Sequence, residues 1–233
     1  MQLSKEKIWK WSKKYIPRFI IGFISITLIW VIIYRWVSPP GTLLMLSRQI
    51  SVDRGNVDYR WVDSDKISAN LKTCAIASED QNFPYHYGFD IEAIQKAVKF
   101  NAKHKRTRGA STISQQVAKN VFLWEGRSWL RKGLELYFTL LIELLWSKDR
   151  ILEMYLNVAE MGPLTFGAQA ASKKYFRKNA SQLSPQEAAK IIAILPSPLK
   201  WSVNHPGPFV AKRQVWILSQ FYMLGGNEYL KEL

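Results

Sequence analysis

The sequence predicts an all-α or α-dominated domain with one membrane-spanning helix ahead of it, and three observations lead there. Apolar residues recur at spacings of three and four from Ser64 onward, the signature of helices with one packed face. Few stretches alternate with period two, as half-buried strands would. Phe19 to Tyr34, FIIGFISITLIWVIIY, carries no ionisable group apart from the tyrosine hydroxyl.

Composition narrows the classes. The 233 residues can bury one sizeable core once an anchor is set aside. A formal charge of +15 and a pI near 9.9 call for an anionic partner: nucleic acid, a membrane surface or a phosphorylated substrate. The single cysteine, Cys74, excludes an internal disulfide, and three histidines, His86, His104 and His205, offer no zinc-ligand spacing.

The N-terminus divides into a basic tail over 1–18, an anchor over 19–37 and a membrane-proximal linker over 38–50. Lys5, Lys7, Lys10, Lys13, Lys14 and Arg18 precede the apolar run against the single acid Glu6, so the positive-inside rule keeps the tail in the cytoplasm and sends the rest outward. Trp9, Trp11 and Tyr15 suit an interfacial aromatic belt. A cleaved signal peptide is the alternative, but no small-x-small site follows. SPPG, Ser38 to Gly41, stops the helix because paired prolines cannot continue it. Leu43 to Leu46 form an apolar run suited to the bilayer surface.

The domain proper is expected over 51–233. Ile67, Leu71, Cys74 and Ala75 begin its helical pattern, with Ser64 as N-cap and Glu79 at or just past the helix end. Further helices are expected over 91–104, 112–123, 129–146, 148–158, 167–176, 185–195 and 209–224. Ahead of the helix over 91–104 lies a polar, aromatic cluster, ASEDQNFPYHYGFD from Ala77 to Asp90, in which Glu79 and Asp80 stand beside a histidine.

RGASTISQQVAKNVFL, Arg108 to Leu123, is the most informative stretch. Thr112 and Gln115 fit a capping box. Thr112, Gln115, Gln116 and Lys119 then share one stripe at i, i+3, i+4 and i+7, while Ile113, Val117 and Val121 occupy another. One face is expected to pack and the other to bind an anion, helped by Gly109 and by the helix N-terminus. The run from Trp129 to Trp146 is apolar nearly all round and is expected to be a central core helix. Its charged stripe, Arg131, Glu135, Thr139 and Glu143, forms either an ion-pair ladder or a cleft wall. Arg131 and Glu135 should serve each other.

Taken together, these segments resemble the peptidoglycan glycosyltransferases, specifically the monofunctional biosynthetic members of the Gram-negative inner membrane. EDQNFPYHYGFD (Glu79 to Asp90), RGASTISQQVAKN (Arg108 to Asn120), RKGLE (Arg131 to Glu135) and KDRILEMYLN (Lys148 to Asn157) are similar to four family motifs in the family's order. The resemblance runs from about Ser51 to the C-terminus. It implies a lysozyme-like two-lobed helical fold with a small membrane-dipping lobe. It also implies polymerisation of lipid II into β-1,4-linked glycan strands, with loss of undecaprenyl pyrophosphate.

The resemblance assigns catalysis to Glu79, as general base, and to Glu135, whose part is orientation of cations, help at the leaving group or a metal ligand. It places Lys119, Arg127, Arg131 and Lys132 near donor phosphates. Ser111, Thr112, Gln115, Gln116 and Asn120 are substrate-binding, with Lys96 and Arg108 as further candidates. Phe83, His86 and Gly88 shape the loop around Glu79. No cofactor is required; a divalent cation, Mg2+ or Mn2+, stays open, with Asp80 as a candidate helper. Partners implied are lipid II, the growing glycan strand, the inner membrane and cell-wall synthesis or division proteins, but no nucleic acid. The catalytic domain is expected in the periplasm. Two positions depart from the pattern: VAEMGPLTFG follows Asn157 where relatives are richer in glycine, and Lys96 replaces an arginine common in relatives.

Two rivals share parts of this pattern. A lytic transglycosylase would keep one glutamate but need no cationic cluster. An anchored scaffold would keep the basic surface but not Glu79.

Overall fold

The computed structural model describes residues 5–51, 55–104, 109–126 and 128–233. Helix α1 runs Lys5–Trp36 and contains a span, Lys13–Trp36, long and apolar enough to cross a bilayer. It therefore starts well before the expected anchor limit at residue 19. The Thr27 hydroxyl donates to the carbonyls of Phe23 (2.8 Å) and Ile24 (3.1 Å), so this polar group is satisfied within the helix, as lipid requires. The helix ends ahead of Pro39, and the chain divides there into two units, the second being Pro39–Leu233.

The expected linker contains a helix. In α2, Leu43–Ile50, the Thr42 side chain caps the first turn by accepting from Met45 N at 3.3 Å, Met45 is buried, and Arg48 reaches Glu160. The next helix, α3, spans Ala69–Glu79 and corrects the expected cap. Ser64 opens a 3-10 turn, and Ser68 caps α3, accepting from Asn70 N (3.2 Å) while donating to Leu183 O (2.8 Å).

The remaining helices are α4 (Ile91–Lys103), α5 (Ile113–Phe122), α6 (Trp129–Leu145), α7 (Lys148–Val158), α8 (Gly167–Phe176), α9 (Pro185–Ile194) and α10 (Pro208–Met223). Their limits follow the expected ones within a residue because side chains fix the starts: Asp90, Thr112, Ser128, Ser147 and Ser184 each accept from a backbone N–H of the first turn. Period-two structure amounts to two residues a side, β1 (Asp58–Tyr59) pairing in parallel with β2 (Thr165–Phe166).

The core is built from two packed sets of helices, α5 with α6 and α7, with α8 against α7, and α3 with α9 and α10. Every residue of α7 from Ile151 to Val158 is buried, as are Leu71 and Thr73 to Ala77 of α3. Gly167, at φ +83, lets α8 begin against α7: a Cβ there would stand 2.4 Å from the Asn157 carbonyl oxygen.

Helix α6 is not the central core helix its composition suggested. Its buried residues are Glu135, Phe138, Thr139 and Ile142, whereas Trp129, Leu130, Leu140 and Leu144 are exposed. Glu135 and Thr139 share the inward face with Phe138 and Ile142 and find partners there, while several large apolar side chains face outward; hydropathy summed around the helix cannot distinguish that from a core helix.

Candidate active site

Glu79 is the last residue of α3, and its carboxylate is held from three directions. Oε1 accepts from the Ser78 hydroxyl at 3.0 Å and from Arg213 Nη2 at 2.9 Å; Oε2 accepts from Gln116 Nε2 at 3.2 Å. The carboxylate faces a cavity of about 650 Å³ walled by Asp80, Asn82, Asp90, Lys96, Gly109 to Thr112, Gln116, Arg213 and Trp216, among others.

The loop after Glu79 is pinned by polar contacts at both ends. Asp80 Oδ1 meets His86 Nε2 at 2.8 Å, and Oδ2 accepts from Ile113 N at 2.9 Å, so the N-terminus of α5 already faces an anion of the protein's own. Phe83 is fully buried beneath the loop. Lys148 Nζ lies 4.5 Å from the Phe83 ring centre and donates to the His86 carbonyl at 2.6 Å. Asn82 donates to Asp90 at 2.9 Å. Burial opposes ionisation of Asp90, but its bonds from Ala93 N and from Asn82 outweigh that and hold its carboxyl below the ordinary value.

Thr112 and Gln115 are both buried and spend polar atoms on each other, with Thr112 also at the wall of the Glu79 cavity. Thr112 N donates to Gln115 Oε1 (3.1 Å) and Gln115 N to Thr112 Oγ1 (3.2 Å), closing a buried capping box. Glu143 pairs with Lys148 at 2.9 Å and takes the Ser114 hydroxyl. Ser111 is exposed at the cavity edge, and Lys96 is exposed and paired with Glu92 at 3.1 Å.

A second cavity, about 370 Å³, shares Gln116 and Pro196 with the first, so the two adjoin. It holds Lys119, Asn120 and Arg131, and also Arg48, Tyr155 and Glu160. Arg131 Nη1 donates to Glu135 Oε2 at 3.3 Å and Lys132 bonds Oε1 of the same carboxylate, so the expected Arg131–Glu135 pairing gains a second cation. Burial pushes the Lys119 ammonium below its ordinary value, with Glu135 opposing the shift. Arg108 and Arg127 lie outside the described residues.

The donor set does not suit a metal. Both Asp80 oxygens are occupied, Glu135 is shared by two cations, and no three His, Cys, Asp or Glu side chains gather among the described residues. No step is assigned to one.

Sequence reasoning missed Arg213, Ser78, Tyr155 and Arg48. Arg213 lies 134 positions from Glu79 on a helix whose charge pattern reads as a solvated face, so only the fold brings the two together. Tyr155 and Asn157 sit in the fourth motif. Asn157 ties Val62 by both its N–H and its carbonyl, at 2.9 Å each, and Tyr155 lies beneath Gln116, so that motif is largely a packing device.

Comparison with known proteins bears on this arrangement. The family described as Transglycosylase matches residues 47–222. The biosynthetic peptidoglycan transglycosylase of Pseudomonas aeruginosa is 51% identical over 220 residues, covering 93% of this chain and 95% of that protein. Proteins of the same description from Pseudomonas savastanoi pv. phaseolicola and Pseudomonas syringae pv. tomato are 51% and 52% identical, covering 94% and 92% of each chain.

Proposed function

Because the chain belongs to the transglycosylase family, as a peptidoglycan glycosyltransferase of the monofunctional biosynthetic kind, we propose that it polymerises lipid II in one displacement, with Glu79 as general base and a Lys/Arg cluster receiving the pyrophosphate. The observation that carries this is the adjacency of two unlike cavities, one holding a fixed carboxylate and the other a half-buried lysine and arginine, with Gln116 and Pro196 shared by both.

The acceptor sugar's 4-hydroxyl is a poor nucleophile. Glu79 takes its proton as the oxygen bonds to the donor's anomeric carbon, and the bond from that carbon to the lipid pyrophosphate breaks. The electron pair leaves on the pyrophosphate, where Lys119 and Arg131 meet it, with Lys132 and Arg127 in support. Attack opposite the leaving group inverts an α-linked donor to a β-1,4 product. Glu135 orients the cations. No general acid is needed, because a pyrophosphate bound by cations departs without a proton, unlike the leaving oxygen in glycoside hydrolysis. The cationic cavity therefore favours this reaction over a lytic transglycosylase.

The excess of lysine and arginine before the apolar span supports a cytoplasmic N-terminus and a periplasmic catalytic domain at the inner membrane. The exposed Trp129, Leu130, Leu140 and Leu144 of α6 suit a lobe that dips into lipid. Lipid II, the growing strand and anionic lipid then account for the +15 charge.

The test is strand formation from labelled lipid II by the full chain in detergent or liposomes. Glu79→Gln should lose roughly 10²–10⁴-fold in rate, the usual contribution of a general base. A folded, lipid II-binding Glu79→Gln that polymerises normally would exclude Glu79 as the base; a wild type that binds without polymerising would point to the scaffold.

A further inference from the structure

We infer that Arg213 of α10 is a positioning residue for the general base, forming with Gln116 a two-sided clamp that leaves one oxygen of Glu79 to receive the proton. The inference rests on the assignment of Glu79 as that base.

On one side, a single nitrogen of Arg213, Nη2, donates to both Ser78 Oγ (2.7 Å) and Glu79 Oε1 (2.9 Å). The Ser78 hydroxyl itself donates to Oε1 at 3.0 Å, so serine and arginine converge on one oxygen. The guanidinium also lies 5.8 Å from the ring centre of Trp216, one turn along the same helix, which limits its swing. On the other side, Gln116 Nε2 donates to Oε2 at 3.2 Å, and its amide oxygen lies 3.5 Å from the Tyr155 hydroxyl. Tyr155 is 1% exposed and cannot turn away.

Counting acceptor positions gives the consequence. A carboxylate offers about four lone-pair sites, two on each oxygen. Among the described residues, Ser78 and Arg213 fill both on Oε1, and Gln116 fills one on Oε2. The open site is on Oε2, the oxygen that faces Gln116 and hence the wall shared by the two cavities.

A clamp is needed here for a local reason. Glu79 ends α3, and the backbone leaves the helical conformation at once at Asp80 (φ −164°, ψ 76°), so no following helical turn restrains its flexible side chain. Misplacing a catalytic group by 1 Å costs on the order of 100-fold in rate. Stability alone does not explain Arg213: its Nε is buried without a partner among the described residues, which opposes folding.

The experiment compares full-length wild type, Arg213→Ala, Arg213→Lys, Glu79→Gln and the double variant Glu79→Gln/Arg213→Ala, measuring kcat and KM for lipid II in detergent. Arg213→Ala should lower kcat by about 100-fold with KM nearly unchanged. Arg213→Lys should recover at least about tenfold of that, since one nitrogen makes both bonds. In the Glu79→Gln background, where residual rates are read over long incubation, removing Arg213 should cost nothing further. A rise in KM with kcat retained, or losses that multiply in the double variant, would overturn the clamp and place Arg213 on the substrate. Thermal melting that falls in Arg213→Ala and recovers in Arg213→Lys without recovery of rate would also overturn it, leaving a fold-stabilising arginine. Glu79→Gln with wild-type rates would instead remove the base, a separate failure.

Discussion

The Thr112 hydroxyl donates a 2.7 Å hydrogen bond to the Gly88 carbonyl, tying the first turn of α5 to the loop that follows Glu79. The same hydroxyl oxygen accepts from Gln115 N. One buried side chain therefore caps a helix and fixes the far end of the loop after Glu79, so damage at Gly88 and damage at Thr112 should both be felt at Glu79.

Gly88→Ala should be the harsher change. At φ +81 a Cβ is strained, and here it would lie 2.6 Å from Thr139 Cγ2 and 3.1 Å from Glu143 Cγ. The expected loss is about 3 kcal/mol, combining backbone strain with overpacking against α6. Thr112→Val should cost about 1–2 kcal/mol through the lost cap, and Thr112→Ser much less. Thermal unfolding in detergent reads both; an unchanged midpoint for Gly88→Ala would mean the loop is not seated on α6.

Glu135→Gln should separate stability from chemistry. The Glu135 side chain is 5% exposed and shared by Arg131 and Lys132, of which Lys132 is 40% exposed and well screened. Breaking a fully buried pair costs about 3–5 kcal/mol, so with one screened partner about 2 kcal/mol is expected. Polymerisation should fall by at least about tenfold as Arg131 loses its fixed direction. Wild-type turnover in a variant that binds lipid II normally would remove Glu135 from the orientation of the cations.

What could be read in the sequence follows from range. The start of α5 was legible because its cap is local: Thr112 with Gln115 announces itself within four residues. The pairing of Arg131 with Glu135 was legible for the same reason. Ser64 misled because it and Ser68 both precede the apolar run, and the choice is made by the Leu183 carbonyl, which is 115 positions from Ser68. On the polar stripe of α5, Thr112 and Gln115 also bond each other, and Thr112 bonds Gly88, while Gln116 and Lys119 line the cavities. Arg213 was invisible, since no periodicity connects α10 to the end of α3.

Cys74 provides a check on the α3 core. It is fully buried, and desolvation pushes its thiol up to about 12. A thiol-specific reagent at pH 8 should leave the native protein unlabelled for hours and react once denaturant is added. Rapid native labelling would contradict the packing of α3 against α9.

Lys119 makes the alkaline limb of the pH profile informative. Burial, opposed by Glu135, lowers its folded value below that of an ordinary lysine, whereas the unfolded chain keeps the ordinary one. The unfolded state thus binds more protons between the two values, so the destabilisation from the buried ammonium is full below the folded value and is relieved as pH rises through it toward 10.5. Catalysis responds in the opposite sense. Once Lys119 deprotonates, the cavity loses a charge that the pyrophosphate needs, and kcat/KM, which reports groups of the free enzyme, should decline earlier than an unburied lysine would allow. Arginine does not deprotonate in this range, so Lys119→Arg should carry the alkaline limb upward even if its neutral-pH rate is reduced by the larger head group. Measuring kcat/KM for lipid II from pH 7 to 10.5 in both proteins decides it; superimposable alkaline limbs would show that the charge on Lys119 does not govern the decline.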